Sequence, residues 1–153
     1  YSHDLGVKQE HYTGKLYISR SKLSSNQRRL HKEHLLEKHL QALGWEIYHP
    51  QLHSLQSQIS TYEASTFICG SEGSAFHLLY AINTINIKRV ILLSKKIRNN
   101  FTLQFKAQKI NFKAINCLII DDESSKEATN RDVGITNNLS IKQLGLMINR
   151  CTF

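Results

Sequence analysis

Proline is almost absent from this chain: Pro50 is the only one in 153 residues, alongside one tryptophan and one methionine. With hydrophobic residues at 41% and no biased tract, the sequence is neither a disordered linker nor a low-complexity segment. Nothing approaches the roughly 18-residue apolar run that a bilayer-spanning helix needs. The start, Tyr1 to His11, is polar and lacks the apolar centre of a signal peptide. A soluble domain with no export signal of its own is therefore expected, and the lack of an initiator Met points to a piece of a longer protein. Cysteines are few and odd in number: Cys69, Cys117 and Cys151 are widely spaced, two of them inside apolar runs. They read as free thiols of a reducing compartment, which implies a cytoplasmic location. No internal repeat is present. Acidic residues are scarce too, 12 against 20 Lys and Arg, giving a formal charge of +8. The excess crowds the first third, at Lys15, Arg20, Lys22, Arg28, Arg29, Lys32 and Lys38, opposed by Glu33 and Glu37. An anionic partner follows, whether nucleotide, nucleic acid or membrane headgroup.

What the chain does have is a stretch that organises the rest. Thr66-Phe67-Ile68-Cys69 is suited to a buried strand and runs into Gly70-Ser71-Glu72-Gly73. Ser74 then stands where a helix beginning at Ala75 would take its N-cap. Gly70 and Gly73 can take backbone angles closed to other residues and let a ligand approach the main chain. Unpaired N–H groups of a first helical turn attract anions. The turn is either a phosphate or diphosphate site or an ordinary strand-to-helix connection.

Alternating signals surround it. Lys15–Ser19 is β-prone, and Leu36, Leu40 and Leu43 repeat at helical spacing before Gly44, a C-terminal cap. A second short strand over Trp45–Tyr48 closes at His49-Pro50, and Leu52, Leu55, Ile59 and Tyr62 mark one face of a second helix with Ser54 as cap. Val90–Leu93 reads as a strand buried on both faces, and a helix is expected around Phe101–Gln108. Cys117–Ile120 reads as a further strand running into Asp121-Asp122-Glu123, residues 124 to 139 as surface loop, and Ser140-Ile141-Lys142-Gln143 as a capping box opening a last helix. Five alternations predict a doubly wound α/β domain with a mostly parallel sheet of about five or six strands. Ligands of such sheets bind beyond the carboxyl ends of the strands. Ser19-Arg20-Ser21-Lys22, His49-Pro50-Gln51 and Gly70–Gly73 all lie at those ends.

The order Tyr17-Ile18-Ser19-Arg20-Ser21, Arg28-Arg29, Glu33…Leu36…Leu40…Leu43-Gly44, Pro50, Leu55-Gln56-Ser57-Gln58-Ile59, Ala64 and Gly70-Ser71-Glu72-Gly73-Ser74-Ala75 resembles glycosyltransferase family 61, whose bacterial members often serve capsule and surface-polysaccharide biosynthesis. The likeness covers roughly residues 15 to 94. It implies the GT-B architecture of two Rossmann-like domains, of which this chain would be the C-terminal, donor-binding half. Residues 1–14 would then be a linker or tail, residues 15–153 one nucleotide-sugar-binding domain, and the N-terminal acceptor domain would lie outside this chain, so that the fragment alone would not turn over. By the same resemblance the diphosphate of a nucleotide sugar would sit near Arg20, Arg28 and the backbone N–H groups of Gly73, Ser74 and Ala75, with Lys22 beside them and the base near the turn His49 to Leu52, including Gln51. Sugar would pass to a polysaccharide or glycan acceptor. No obligatory metal or other cofactor is implied, since GT-B enzymes commonly neutralise the diphosphate with such donors. Many relatives read Gly-x-His-Gly-Ala where this chain has Gly70-Ser71-Glu72-Gly73-Ser74, and an acidic residue is usual in place of Gln51. Glu72 is the candidate catalytic residue, as a hydrogen-bond acceptor for a hydroxyl or as a base.

Two other readings stay open. The charge of +8 fits a basic nucleic-acid-binding module, but no stacking strand or recognition helix accompanies it, so nucleic acid is not the expected partner. The basic face also fits peripheral contact with an anionic inner membrane. A metal site is not expected: His31, His34 and His39 lack a paired arrangement with an acid, and Asp121-Asp122-Glu123 has no further ligands nearby.

Overall fold

The computed structural model describes residues 14–23, 30, 32–94, 99–119, 134–135 and 140–153. Five short β-prone segments pair in parallel: Lys15–Ile18 (β1), Glu46–Tyr48 (β2), Phe67–Ser71 (β3), Arg89–Ser94 (β4) and Phe112–Asn116 (β5). Their order is β2-β1-β3-β4-β5. Parallel neighbours need crossovers, and these are the helices Glu33–Ala42 (α1), Leu55–Glu63 (α2) and Asn99–Ala107 (α3) and a 3₁₀ segment, Ser74–Tyr80. A last helix, Ile141–Arg150 (α4), starts at the expected capping box: Ser140 Oγ accepts from Gln143 N, and Gln143 Oε1 accepts from Ser140 N.

The side-chain alternation of the central strands sorts the core into two layers. On one face Tyr17, Cys69, Ile91 and Leu93 pack with Leu36 and Leu40 of α1 and Leu144 and Ile148 of α4. On the other, Leu16, Ile18, Ile68, Val90 and Leu92 pack with Tyr62 of α2, Phe76 and Leu79 of the 3₁₀ segment and Phe101 and Phe105 of α3. The doubly wound, Rossmann-like α/β expectation therefore holds, and β4 is buried on both faces as its apolar run required. All three cysteines are free and buried.

Four local expectations are corrected. The fifth strand of the main sheet is β5, not Cys117–Ile120; Leu118–Ile119 (β6) instead pairs antiparallel with Gly134–Ile135 (β7), within a stretch expected to be loop. Cys117 N donates to Ser94 O at 3.1 Å, at the very end of the β4–β5 ladder, where pairing stops. No α-helix begins at Ala75: the 3₁₀ segment starts at Ser74, Gly73 is the residue before it, and no side chain caps it. Burial of Phe76 and Leu79, three apart, matches a period of three. The side chains of Gln104 in α3 and of Gln108, just past its end, hold this segment in place by donating to the Phe76 and Leu79 carbonyls at 3.2 and 2.6 Å. The supposed apolar face of α2 is mostly exposed, with Leu52 in a 3₁₀ turn (Pro50–Leu52) and only Tyr62 of the helix fully buried. Finally, Gly70 and Gly73 do not use left-handed backbone angles; among the described glycines Gly14 and Gly44 do. Residues 1–13 and Asp121-Asp122-Glu123 lie outside the described residues.

Candidate functional site

In this strand order the chain leaves β1 toward β2 and leaves β3 toward β4, in opposite directions across the sheet. The crevice between the carboxyl ends of β1 and β3 is therefore the topological switch point, where open α/β sheets bind ligands. A cavity of about 340 Å³ lies there. That is at the lower end of the range of small-molecule pockets, about 300–1,000 Å³. Ile18, Ser19, Arg20 and Leu23 come from the end of β1 and its loop; Pro50 and Gln51 from the 3₁₀ turn after β2; Gln58 from α2; and Ser71, Gly73, Ser74 and Ala75 from the end of β3. Three sheet edges that looked chemically rich in the sequence thus converge on one space.

Close approach explains both glycines. A Cβ on Gly70 would lie 3.0 Å from the Ile18 carbonyl oxygen and 3.2 Å from Phe76 Cζ, so a side chain at residue 70 would push β1 and the 3₁₀ segment back from β3 by a few tenths of an ångström. At Gly73 the neighbour is Arg20: a Cβ there would lie 2.5 Å from a terminal guanidinium nitrogen. Arg20 thus reaches from β1 across the switch point and lies on the Gly73 backbone. Glu72 N donates to Leu93 O at 3.0 Å and Phe76 N to Gly73 O at 3.1 Å. Between them, the N–H groups of Gly73, Ser74 and Ala75 meet no acceptor among the described residues.

The other anticipated residues fall as follows. Gln51 is exposed on the cavity wall, in a turn tied to α2 by Gln58, whose Nε2 donates to Pro50 O at 2.8 Å and to His53 O at 3.2 Å. Lys22 is exposed and not on the wall, but its charge acts on His49, which burial, chiefly, and Lys22 hold below the ordinary imidazole pKa. Glu72 is turned away from the cavity: its Oε2 accepts the Ser94 hydroxyl at 2.8 Å, at the end of β4. His77 stacks on Phe101, ring centres 5.0 Å apart. Arg28, Arg29 and His31 lie outside the described residues. Among the described residues no group of three or more His, Cys, Asp or Glu could hold a metal ion, and no helix is long and apolar enough to cross a membrane.

What the sequence did not disclose is how Arg20 is supported. Glu33, in the first turn of α1 and only 1% exposed, accepts the Tyr17 hydroxyl at 2.8 Å and the Arg20 backbone N–H at 3.2 and 3.3 Å. One turn on, Glu37 accepts the Ser19 hydroxyl, whose oxygen in turn accepts Ser21 N at 3.0 Å. Two carboxylates of α1 thus fix the backbone at the end of β1. The signal was present: Glu33, Leu36, Glu37 and Leu40 share one helix face, so both acids lie along the apolar stripe. Burial pushes the Glu33 carboxyl up to about 7, with Glu37 adding to the rise and the Tyr17 and Arg20 hydrogen bonds and the Arg20 charge opposing it.

Because the folded value exceeds that of an unfolded carboxyl, Glu33 contributes stability that is fully present below about pH 4.5 and is lost as pH rises through about 7. The difference amounts to about 3 kcal/mol. Denaturant unfolding of wild type and Glu33→Gln from pH 5 to 8 is expected to show the wild type losing stability relative to the variant as pH rises. Parallel curves would contradict the assignment.

The Cys69 and Cys117 thiols do not compete as nucleophiles, since burial raises Cys69 well above, and Cys117 to about 12 from, the ordinary thiol value. No curated protein and no solved structure matches the chain. Residues 1–87, which include β1, β3 and the cavity between them, match the family model for Glycosyltransferase 61. The match takes in the first fourteen residues and ends just before β4, close to where the likeness of motifs ends. With more than half of its length within that match, the chain belongs to glycosyltransferase family 61.

Proposed function

We propose that the cavity at the β1–β3 switch point is the donor site of a glycosyltransferase, taking the diphosphate of a nucleotide sugar whose sugar passes to a polysaccharide or other glycan acceptor. The observation that carries this reading is the Arg20 guanidinium lying on Gly73, beside three backbone N–H groups that meet no acceptor among the described residues. A guanidinium binds phosphate oxygens through two parallel N–H donors, and fixed backbone dipoles need no reorganisation when charge develops. When the bond from sugar to diphosphate breaks, negative charge grows on the leaving oxygens. Arg20 and the amides of Gly73, Ser74 and Ala75 would stabilise it there, which is transition-state stabilisation without a metal ion. The Pro50–Gln51 turn, held by Gln58, would form the nucleoside side of the site. Exposed Lys22, with Arg28 six residues on in the sequence, would attract the anion over longer range. Glu72 accepts the Ser94 hydroxyl and is off the cavity wall, so it would not touch the diphosphate.

The test is equilibrium binding of UDP, GDP, ADP and CMP beside a mixed oligonucleotide and anionic vesicles. Saturable binding of one of the three diphosphates at moderate salt supports the donor site, and CMP is the monophosphate control. Steeply salt-dependent binding of the oligonucleotide alone, or of vesicles alone, would overturn it in favour of a basic docking face. A finer check uses Gly73→Ala. The methyl meets only the end of the Arg20 side chain, and the residue's φ of 177° is extended backbone that alanine adopts. Nucleotide affinity is expected to fall roughly three- to tenfold as Arg20 is displaced, with the unfolding midpoint within about 2 °C of wild type. Unchanged affinity would mean that the Arg20–Gly73 contact does not form the site.

A further inference from the structure

We infer that Glu33 couples nucleotide binding to proton uptake: its buried carboxylate holds the Arg20 backbone and gains a proton when an anionic diphosphate occupies the Arg20 guanidinium. This rests on the donor-site reading above and adds a pH linkage to the same site. Glu33 does not line the cavity. It acts through Arg20, so it is a positioning residue.

The geometry supplies the coupling. Ionised Glu33 is supported by the Tyr17 hydroxyl from β1, by the Arg20 backbone N–H and by the Arg20 charge. Against it stand burial and the like charge of Glu37 on its own helix. The Cys69 thiol of β3 also faces it, protonated and neutral. Lys32, just before α1, is exposed, and α4 meets α1 through Gly145 against Leu36 and His39, with its own charged side chains Lys142 and Arg150 exposed. Arg20 is therefore the cation placed to matter. A diphosphate on its guanidinium cancels that support and brings further negative charge near the carboxyl, so the neutral acid becomes the favoured form. Since the free carboxyl already titrates near neutrality, a modest push changes its protonation at physiological pH. The proton comes from solvent and returns to it when the nucleotide leaves. Binding should weaken as pH rises, the reverse of what a titrating nucleotide phosphate alone would give.

The experiment is calorimetric titration of the 153-residue chain with UDP, GDP, ADP and CMP in turn, at about pH 7.5, in HEPES and in Tris, whose ionisation enthalpies differ. For the nucleotide that binds, the wild type is expected to show a buffer-dependent enthalpy with the sign of net proton uptake. Its affinity should fall roughly fivefold between about pH 6.5 and 8.5. Glu33→Gln, which keeps an acceptor for Tyr17 and Arg20 but cannot titrate, should lose both the buffer difference and the slope. Proton exchange by the nucleotide's own phosphate is common to both proteins and cancels in the comparison. Tyr17→Phe removes a hydrogen bond that favours the ionised form, so it should move the midpoint of the affinity profile to higher pH; that readout also decides the matter if Glu33→Gln does not fold. Binding without proton uptake in the wild type, or with equal uptake in Glu33→Gln, would overturn the coupling and leave the donor site standing. Absence of binding by all four nucleotides would overturn the donor site and the coupling together.

Discussion

Arg20→Ala is expected to lower the affinity for the bound nucleotide by roughly ten- to a hundredfold while changing the unfolding midpoint little. The size follows from the type of contact. A hydrogen bond to a charged group contributes about 1.5–3 kcal/mol, roughly twice a neutral one, and a ten- to hundredfold loss corresponds to about one such bond. The midpoint is expected to change little because alanine keeps the backbone N–H that Glu33 holds, and Glu33 can take up a proton when the Arg20 charge is gone. Arg20→Lys separates charge from geometry. A lysine would restore long-range attraction but not the planar fork, and should recover only part of the affinity. The measurement is calorimetric titration with the nucleotide that binds wild type, beside thermal unfolding of both proteins. Equal affinity in wild type and Arg20→Ala would remove Arg20 from the site.

The largest loss of stability is expected at Gly70, through packing alone. Its Cβ would press on the Ile18 carbonyl, 3.0 Å away, and on Phe76 Cζ, 3.2 Å away. The first is backbone of the neighbouring strand in register with Gly70, and the second belongs to a fully buried ring; neither can step aside as a flexible side chain can. Gly70→Val adds two further methyl groups to the same space. It must part β1 from β3 or expel Phe76, at a cost of about 3 kcal/mol or more. For a chain of this length that is a fall of roughly 6–12 °C in the thermal midpoint. Circular dichroism melting of Gly70→Val beside Gly73→Ala makes the contrast: two glycines of one turn, one limiting stability and the other limiting binding. A melting point for Gly70→Val within about 2 °C of wild type would show that β3 does not lie as close to β1 as described.

The legibility of this chain divides along the range of the interactions. Elements set by local sequence came through: the β4 apolar run, the Leu36–Leu40 stripe of α1, the left-handed Gly44 after it and the Ser140 capping box. So did the convergence of three strand ends, because a parallel doubly wound sheet puts them on one edge whatever their side chains. Features set by tertiary contacts did not. β5 is an edge strand with only Ile115 of its five residues buried, so it has no apolar run, while Cys117, which does look strand-like, lies one residue past its end. Ser74 resembled a helix cap, yet the segment after it is 3₁₀, tied down by two glutamines about thirty residues further along the chain. Within the site, Arg20, Gly73, Ser74, Ala75 and Gln51 were found together, whereas Glu72 faces β4 and Lys22 solvent. Glu33 escaped notice because an acid in the first turn of a helix is ordinarily explained by the helix dipole. Only the packing of α1 against Tyr17 turns it into a buried support for the Arg20 loop.

The central claim is that a nucleoside diphosphate binds between the ends of β1 and β3, and an amide chemical-shift titration tests it most directly. Adding UDP, GDP, ADP and CMP in turn to the uniformly labelled chain should, for one of them, saturably shift the amides of Gly73, Ser74, Ala75 and Phe76 together with those of Ser19 to Lys22, leaving β5 and α4 unmoved. The same titration of Arg20→Ala should require a far higher concentration to reach the same shifts. Saturable shifts confined to another face of the sheet, or none with any of the four while an oligonucleotide or anionic vesicles shift the basic loop, would contradict a donor site at the switch point.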